Sequence, residues 1–382
     1  MDTPALTGVD TATGSASPGE SSSPSDEAAR DALVGRLFEA ALGTFDIAAL
    51  HVGERLGLYA ALDGGPLSAG QLAAATGTAP RYVREWLEQQ AVTGILGVDS
   101  EAAAQDERRY SLPGGHREVL LHPESLAFMA PVARAMMGLA AQAPRLLDAF
   151  RSGEGLSWEA YGADIREAQA SMNRPMFANL LGPEWLASIP DIDARLRSDP
   201  PARVADIAVG GGWSAIAMAR AYPKILVDGL DLDPASIEMA QANLATTEVS
   251  DRVTFSVRDA ADPGLAGHYD LATIFEAVHD FSQPVAVLGA VRNLLAPGAS
   301  LLVADERVAD QFTAPGDAVE RFMYGWSFLL CLPNGLADDP SAGTGAVMRP
   351  DMLRRFASEA GFGRVEVLPI ETDFWRFYRL IP

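Results

Sequence analysis

Residues 203–233, RVADIAVGGGWSAIAMARAYPKILVDGLDLD, constrain the fold more than any other stretch of this chain. Arg203 to Val209 is a short apolar run that reads as a strand, and Gly210, Gly211 and Gly212 follow it directly. A helical segment from Ser214 to Ala221 comes next, then a second strand from Ile225 to Leu230, closed by Asp231. A glycine turn is needed between strand and helix because a Cβ there blocks the backbone from approaching a bound cofactor. An acid about 20 residues further on, at the tip of the second strand, accepts the hydroxyls of a ribose. The segment therefore predicts a nucleoside-cofactor site and leaves open which nucleoside it takes.

Gly210-x-Gly212-x-x-Ala215 satisfies the dinucleotide pattern, in which a pyrophosphate sits on the helix N-terminus. An NAD-dependent reductase is thus one reading, and the segments downstream weigh against it. Val253 to Val257 reads as a third strand followed by Arg258-Asp259-Ala260, and Tyr269 to Phe275 as a fourth, with Glu276-Ala277-Val278-His279-Asp280 at its end. A helix (Val285 to Leu295), a strand (Ala299 to Ala304), a helix (Pro350 to Ala360) and two alternating strands (Arg364 to Pro369, Asp373 to Leu380) complete the run. This order resembles the class I methyltransferases, including their closing antiparallel strand pair. The resemblance implies a Rossmann-like α/β domain over 199–382 that binds S-adenosyl-L-methionine (SAM). It assigns the cofactor to Asp206, Gly210, Gly211, Gly212, Asp231, Leu232, Asp259, Ala260 and Glu276, with ribose on Asp231 and adenine near Asp259 and Ala260. Ala208 departs from the family's first motif, which carries a glycine there.

Charge and composition exclude several partners. The chain of 382 residues carries a formal charge of −22, which argues against nucleic acid, since phosphate binding needs neutralising cations. A hydrophobic share of 48% is enough for a sizeable core, and the length suits two domains. Cys331, alone of its kind, rules out an internal disulfide and suits a reducing cytoplasm. The most apolar long segment, Ser125 to Leu147, is interrupted by Pro131, Arg134 and Pro144, so no membrane span is expected.

Residues 1–27 are Ser, Thr, Pro, Gly, Ala and acid with almost no bulky apolar side chains, a composition that predicts disorder. From Ala28 a helical pattern places Leu33, Leu37, Phe38, Leu42, Phe45 and Leu50 on a broad apolar face. A helix opened by Ser68, another from Arg81 to Thr93, and two short strands around a polar loop (Gly94 to Val98, Arg109 to Leu112) make a winged-helix pattern within 28–122. Glu85, Glu88, Glu101, Asp106 and Glu107 on and beside the second helix oppose a duplex. The segment LSAGQLAAATGTAPRYVREWLEQQAVTGIL resembles the N-terminal dimerisation domain of the small-molecule O-methyltransferases, which implies a homodimer.

Residues 123–198 read as helices joining the two parts. In that family they carry acceptor contacts, which points to Tyr161, Asn173, Met176 and Phe177. Transfer of a methyl group to a hydroxyl also needs a base, and histidine titrates near working pH. His279 follows the fourth strand at the carboxyl edge of the sheet, where open α/β sheets place their ligands. Val278-His279-Asp280-Phe281 resembles the His-Asp-Trp segment whose histidine is the base in plant and bacterial O-methyltransferases. Asp280, Asp305 and Glu306 complete the expected catalytic group, with Asp305-Glu306 orienting the imidazole. The insertion 312–348 is a candidate lid, with Met323 and Trp326 toward the acceptor. The expected reaction is SAM-dependent methylation of a small, largely apolar acceptor, a hydroxylated aromatic or natural-product-like molecule, and no metal is required. Two alternatives stay open: a methyltransferase fold turned to hydroxylation, decarboxylation or cyclisation, and a metal-assisted C-methyltransferase using His279 and Asp280.

Overall fold

The structure, a computed structural model, describes residues 23–101, 104–262 and 267–382. Residues 1–22 of the expected disordered tail lie outside the described residues. Helix α1 (Pro24–Arg55) begins four residues before the predicted start, opened by Asp26 and Glu27, whose charge suits a helix N-terminus. The chain divides into two compact units, Met1–Asp46 and Ile47–Pro382. In the first, Leu33, Val34, Leu37, Phe38, Leu42 and Phe45 of α1 are all exposed.

The second unit opens with a winged helix: α2 (Leu58–Leu62), α3 (Ala69–Thr76), α4 (Pro80–Val92), and a wing of β1 (Gly97–Val98) antiparallel to β2 (Tyr110–Ser111). A reciprocal cap starts α3, in which the Ser68 side chain takes the Gln71 N–H and the Gln71 side chain takes that of Ser68. Pro80 fits the first turn of α4, where no N–H is needed. Leu58, Tyr59, Leu62, Leu72, Val83, Leu87 and Tyr110 converge into one core. Gly53 makes that packing possible, because a Cβ there lies 2.5 Å from the Trp86 ring.

Helices α5 (Gly114–Leu121), α6 (Ala130–Ala141), α7 (Ala143–Ser152) and α8 (Trp158–Met176) follow. Wider, π-type turns over Phe177–Leu186 continue α8 and lead to α9 (Pro190–Arg197). The next elements are β3 (Arg203–Ile207), α10 (Trp213–Ala221), β4 (Leu226–Asp231), α11 (Pro234–Ala245), β5 (Val253–Val257), β6 (Tyr269–Phe275), α12 (Pro284–Leu294) and β7 (Leu295–Glu306). Then come α13 (Ala318–Trp326), α14 (Leu332–Gly335), α15 (Pro350–Glu359), β8 (Arg364–Val367) and β9 (Trp375–Ile381). The predicted α/β class holds. Seven strands form one sheet in the order β5-β4-β3-β6-β7-β9-β8, parallel except for β9, which runs antiparallel to both neighbours. Strand β7 starts at Leu295 rather than Ala299, because a register shift near Tyr269 lets it pair with β6 ahead of the turn.

Side chains alternate across the sheet as the pleat requires. Val204, Val227, Leu302 and Phe377 face one core, and Ala205, Ile207, Val303 and Tyr378 face the other. The strand order reverses between β3 and β6, and the carboxyl ends there form the crevice where such sheets bind ligands.

Candidate active site

The glycine turn leaves β3 at this crevice. Gly210 and Gly212 have positive φ (52° and 80°), and the space where a Gly210 Cβ would sit is open. Gly211 and Gly212 answer to packing: a Cβ on Gly211 comes within 2.6 Å of the Ala170 Cβ, and one on Gly212 within 2.6 Å of the Phe255 ring. Asp231 ends β4 with one carboxylate oxygen on the Gly210 N–H (2.8 Å) and the other on the Asp233 N–H (2.9 Å). Each oxygen keeps a further lone pair that can accept another donor. Burial, partly offset by these N–H groups, raises the Asp231 pKa.

Other residues expected at the cofactor stand differently. Asp206 is buried, accepting from Ser214 Oγ (2.5 Å) and Thr273 Oγ1 (2.7 Å), so it ties β3 to α10 and β6 beneath the turn. Desolvation pushes its carboxyl up to about 6. Asp259 is exposed and takes the Ala261 N–H (2.8 Å), Ala260 packs partly against the sheet, and Leu232 is exposed beside Asp231. Glu276 is turned to the helices instead. It accepts from Gln169 Nε2 (2.9 Å), from Asn173 Nδ2 and from Trp375 Nε1 (2.5 Å), at a φ of 51° that a side chain rarely adopts.

His279 lies in a single 3₁₀ turn, Val278–Asp280, just past β6 and almost fully buried. Its Nδ1 is 2.6 Å from Asp305 Oδ1 at the end of β7, and its Nε2 is 3.5 Å from Asp280 Oδ1. Asp305 is the residue that orients the ring; Glu306, paired with it in the sequence reading, makes no such bond. Desolvation alone lowers the imidazole pKa, but the carboxylates of Asp305 and Asp280 outweigh it and hold the group well above its ordinary value. Cys331 sits against the same group, and its thiol is pushed up to about 12 by burial. Donor atoms of His279, Asp280 and Cys331 lie within 4.8 Å of one another.

The residues expected at the acceptor are brought around this spot with different tasks. Asn173 holds Glu276, and the Tyr161 hydroxyl donates to the Leu329 carbonyl (2.7 Å). Phe177 is buried against Phe275 and Trp375, with ring centroids 5.4 and 5.5 Å away, and Met176 packs partly on the same core. Met323 is buried, while half-buried Trp326 packs against a cluster holding Tyr161, Leu330 and Cys331. The 312–348 segment reaches the site directly, since the Gly345 N–H donates to the His279 carbonyl (3.2 Å). Sequence reading missed Gln169 and Trp375. Gln169 precedes Asn173 by one helical turn, which was the available signal; nothing marked the Trp375 indole.

Comparison with known proteins finds matches in both parts of the chain. A methyltransferase-domain family model matches residues 204–298, and an Rv2258c-like winged helix-turn-helix model matches residues 47–122. The ubiquinone biosynthesis O-methyltransferase of Xanthomonas campestris pv. campestris is 33% identical over 106 residues, 27% of this chain and 43% of that protein. The release factor glutamine methyltransferase of Rhodopirellula baltica is 31% identical over 105 residues, 27% of this chain and 34% of that protein. The chain thus spans less than half the length of these curated relatives. Among solved structures, the mitomycin 7-O-methyltransferase MmcR is 22% identical, covering 93% of this chain and 99% of its own, at a TM-score of 0.64. Human N-acetylserotonin methyltransferase, solved in complex with SAM, is 16% identical, covering 95% and 99%, at 0.68. The chain thus carries a methyltransferase-domain match over residues 204–298 and a winged-helix match over residues 47–122, and it shares its fold with these solved methyltransferases.

Proposed function

We propose that this protein transfers a methyl group from SAM to a hydroxyl of a small organic acceptor, with His279 as the base. The observation that carries this reading is the His279 Nδ1–Asp305 pair at the sheet edge, on the strand next to the glycine turn. With Nδ1 held by a carboxylate, Nε2 is the atom left to take a proton. SAM, when bound, supplies an electrophilic methyl carbon for an in-line displacement. The chain's part is to hold Gly210 and Asp231 open to the nucleoside, to fix the imidazole, and to bury the reacting hydroxyl. Positioning of this kind is worth roughly 7–11 kcal/mol, and a base about 10²–10⁴-fold.

Isothermal titration with SAM and with S-adenosylhomocysteine tests the cofactor half. Micromolar binding of both is expected, and His279→Ala should bind equally well yet lose methyl transfer by about 10²-fold or more. No binding of either compound would remove the reading, and full activity of His279→Ala would leave only positioning.

Two copies are proposed to pair through the apolar face of α1, and the 312–348 segment to close over the acceptor. Nucleic acid is not a proposed partner. Arg81 pairs with Glu85 (2.5 Å) and Arg108 with Glu88 (3.2 Å), so two of the cations on and beside the second helix of the winged helix are matched by acids. Among the described residues no helix is long and apolar enough to cross a membrane. A second reading rests on the proximity of His279, Asp280 and Cys331: a metal held there would grip a keto or enol acceptor for C-methylation. Stoichiometric metal by mass spectrometry in protein purified without a His-tag would favour it.

A further inference from the structure

Helix α8 breaks at Gly162 (φ 79°) and continues to Met176. Past the break, the spacing of residues 166, 169, 170 and 173 puts their side chains on one helical face. That face meets the cofactor crevice at three places. Arg166 reaches Asp233 just past β4, Ala170 abuts Gly211 in the turn after β3, and Gln169 and Asn173 hold Glu276 at the end of β6.

The first of these contacts lies beside the acid at the tip of β4. Arg166 Nε donates to Asp233 Oδ2 at 2.6 Å, and the two side chains are only 12% and 15% exposed, so salt and water screen the pair little. The Asp233 N–H in turn donates to Asp231 Oδ1 (2.9 Å), while the Gly210 N–H fills one site on the other oxygen (2.8 Å). Leu232, between the two acids, is 65% exposed, so its side chain anchors nothing and polar bonds fix this connection. The Ser236 N–H and Oγ donate to Asp233 Oδ2 (3.0 and 2.7 Å) and cap α11, a tie that stays within the same strand-to-helix connection. Among the described residues, Arg166 alone ties the Asp233 side chain to a different element.

We propose that Arg166 is a positioning residue for the cofactor: through Asp233 it fixes the Asp231 carboxylate in the orientation that accepts the hydroxyls of a ribose. Without the guanidinium, Asp233 turns more freely, its N–H loses the line to Asp231 Oδ1, and the carboxylate no longer presents its lone pairs in a fixed direction. The residue acts on the nucleoside part of the ligand and leaves the amino-acid part alone. This rests on the SAM reading for the role of Asp231.

Isothermal titration of the full chain with S-adenosylhomocysteine and with 5′-methylthioadenosine tests this. Both probes carry the ribose, and only the first carries an amino-acid carboxylate. Arg166→Gln should weaken both about tenfold, the worth of one hydrogen bond to a carboxylate. Asp233→Asn, which keeps an acceptor for the α11 cap, should do the same, and Arg166→Lys, which keeps the charge, should recover most of the loss. In an Asp231→Asn background Arg166→Gln should cost nothing further, whereas sites that share no partner add. Unchanged affinity in a folded Arg166→Gln protein, or additive losses, would overturn the assignment. So would a loss confined to S-adenosylhomocysteine, which would instead put Arg166 in direct contact with the amino-acid carboxylate. If Arg166→Gln does not fold, Asp233→Asn decides by the same readout. Wild type that binds neither probe removes the SAM reading itself, and the role of Arg166 with it.

Discussion

Ala208 holds φ at 55°, a conformation that costs a residue with a Cβ roughly 1–2 kcal/mol and a glycine almost nothing. The turn keeps its shape at that cost, so alanine at this position leaves the cofactor turn intact and strained. Ala208→Gly should raise stability by about 1 kcal/mol, less the extra freedom of the unfolded chain, read as a higher urea midpoint at unchanged m. A lower midpoint would show that the methyl group packs usefully against the sheet core it touches. His279 carries the second residue-scale consequence. Its pKa is raised in the folded state, so its contribution to stability is fully present below the unfolded value of about 6.5 and is lost as pH rises through the folded value. Methyl transfer should rise over that same interval, because only the neutral ring can take a proton. Replacing Asp305 by Asn removes the main raising charge, so the midpoint of the kcat/KM profile should move to lower pH and the maximal rate should fall. An unmoved midpoint would assign the titration to another group.

At the scale of elements, the site is assembled by pieces far apart in sequence. Helix α8 reaches Glu276 with Gln169 and Asn173, β9 reaches it with Trp375, and β7 supplies Asp305 to His279. The segment after β7 closes the group from outside: Ala342 N–H donates to the Ser282 carbonyl (2.8 Å) and Leu156 N–H to the Pro333 carbonyl (2.8 Å). Such backbone ties fit a cover that docks on the 3₁₀ turn carrying His279. Limited proteolysis between 334 and 346 should therefore slow when SAM or S-adenosylhomocysteine is present. Equal cleavage with and without them would make the segment a fixed wall instead of a lid.

For the whole molecule, the exposed stripe Leu33, Leu37, Phe38, Leu42 and Phe45 of α1 is the basis of the proposed pairing. A contiguous apolar face on a helix is rarely left to water, and pairing two such faces buries them. Light scattering after size exclusion should show a dimer for the wild type and a monomer for Leu37→Asp combined with Phe45→Asp. A wild-type monomer would remove the pairing.

Local pattern carried most of the fold. Glycines after an apolar run, an acid at the next strand tip and an alternating closing pair defined the α/β domain, and helical spacing with Ser68 and Pro80 defined the winged helix, because such signals act over a few residues. His279 and Asp305 were legible for the same reason, each standing at the end of a recognisable strand. What the sequence could not fix was where long polar side chains turn. Asp206 and Glu276 sit in cofactor-like positions, yet Asp206 faces Ser214 and Thr273 while Glu276 faces α8 and β9. Glu306 differs from its neighbour Asp305 only by the face of the strand it occupies, and that face decides whether it orients a base or lies unpartnered in the core. Those assignments depend on which elements cross at the sheet edge, a matter of contacts between residues about 100 positions apart, and only the tertiary structure brings such residues together.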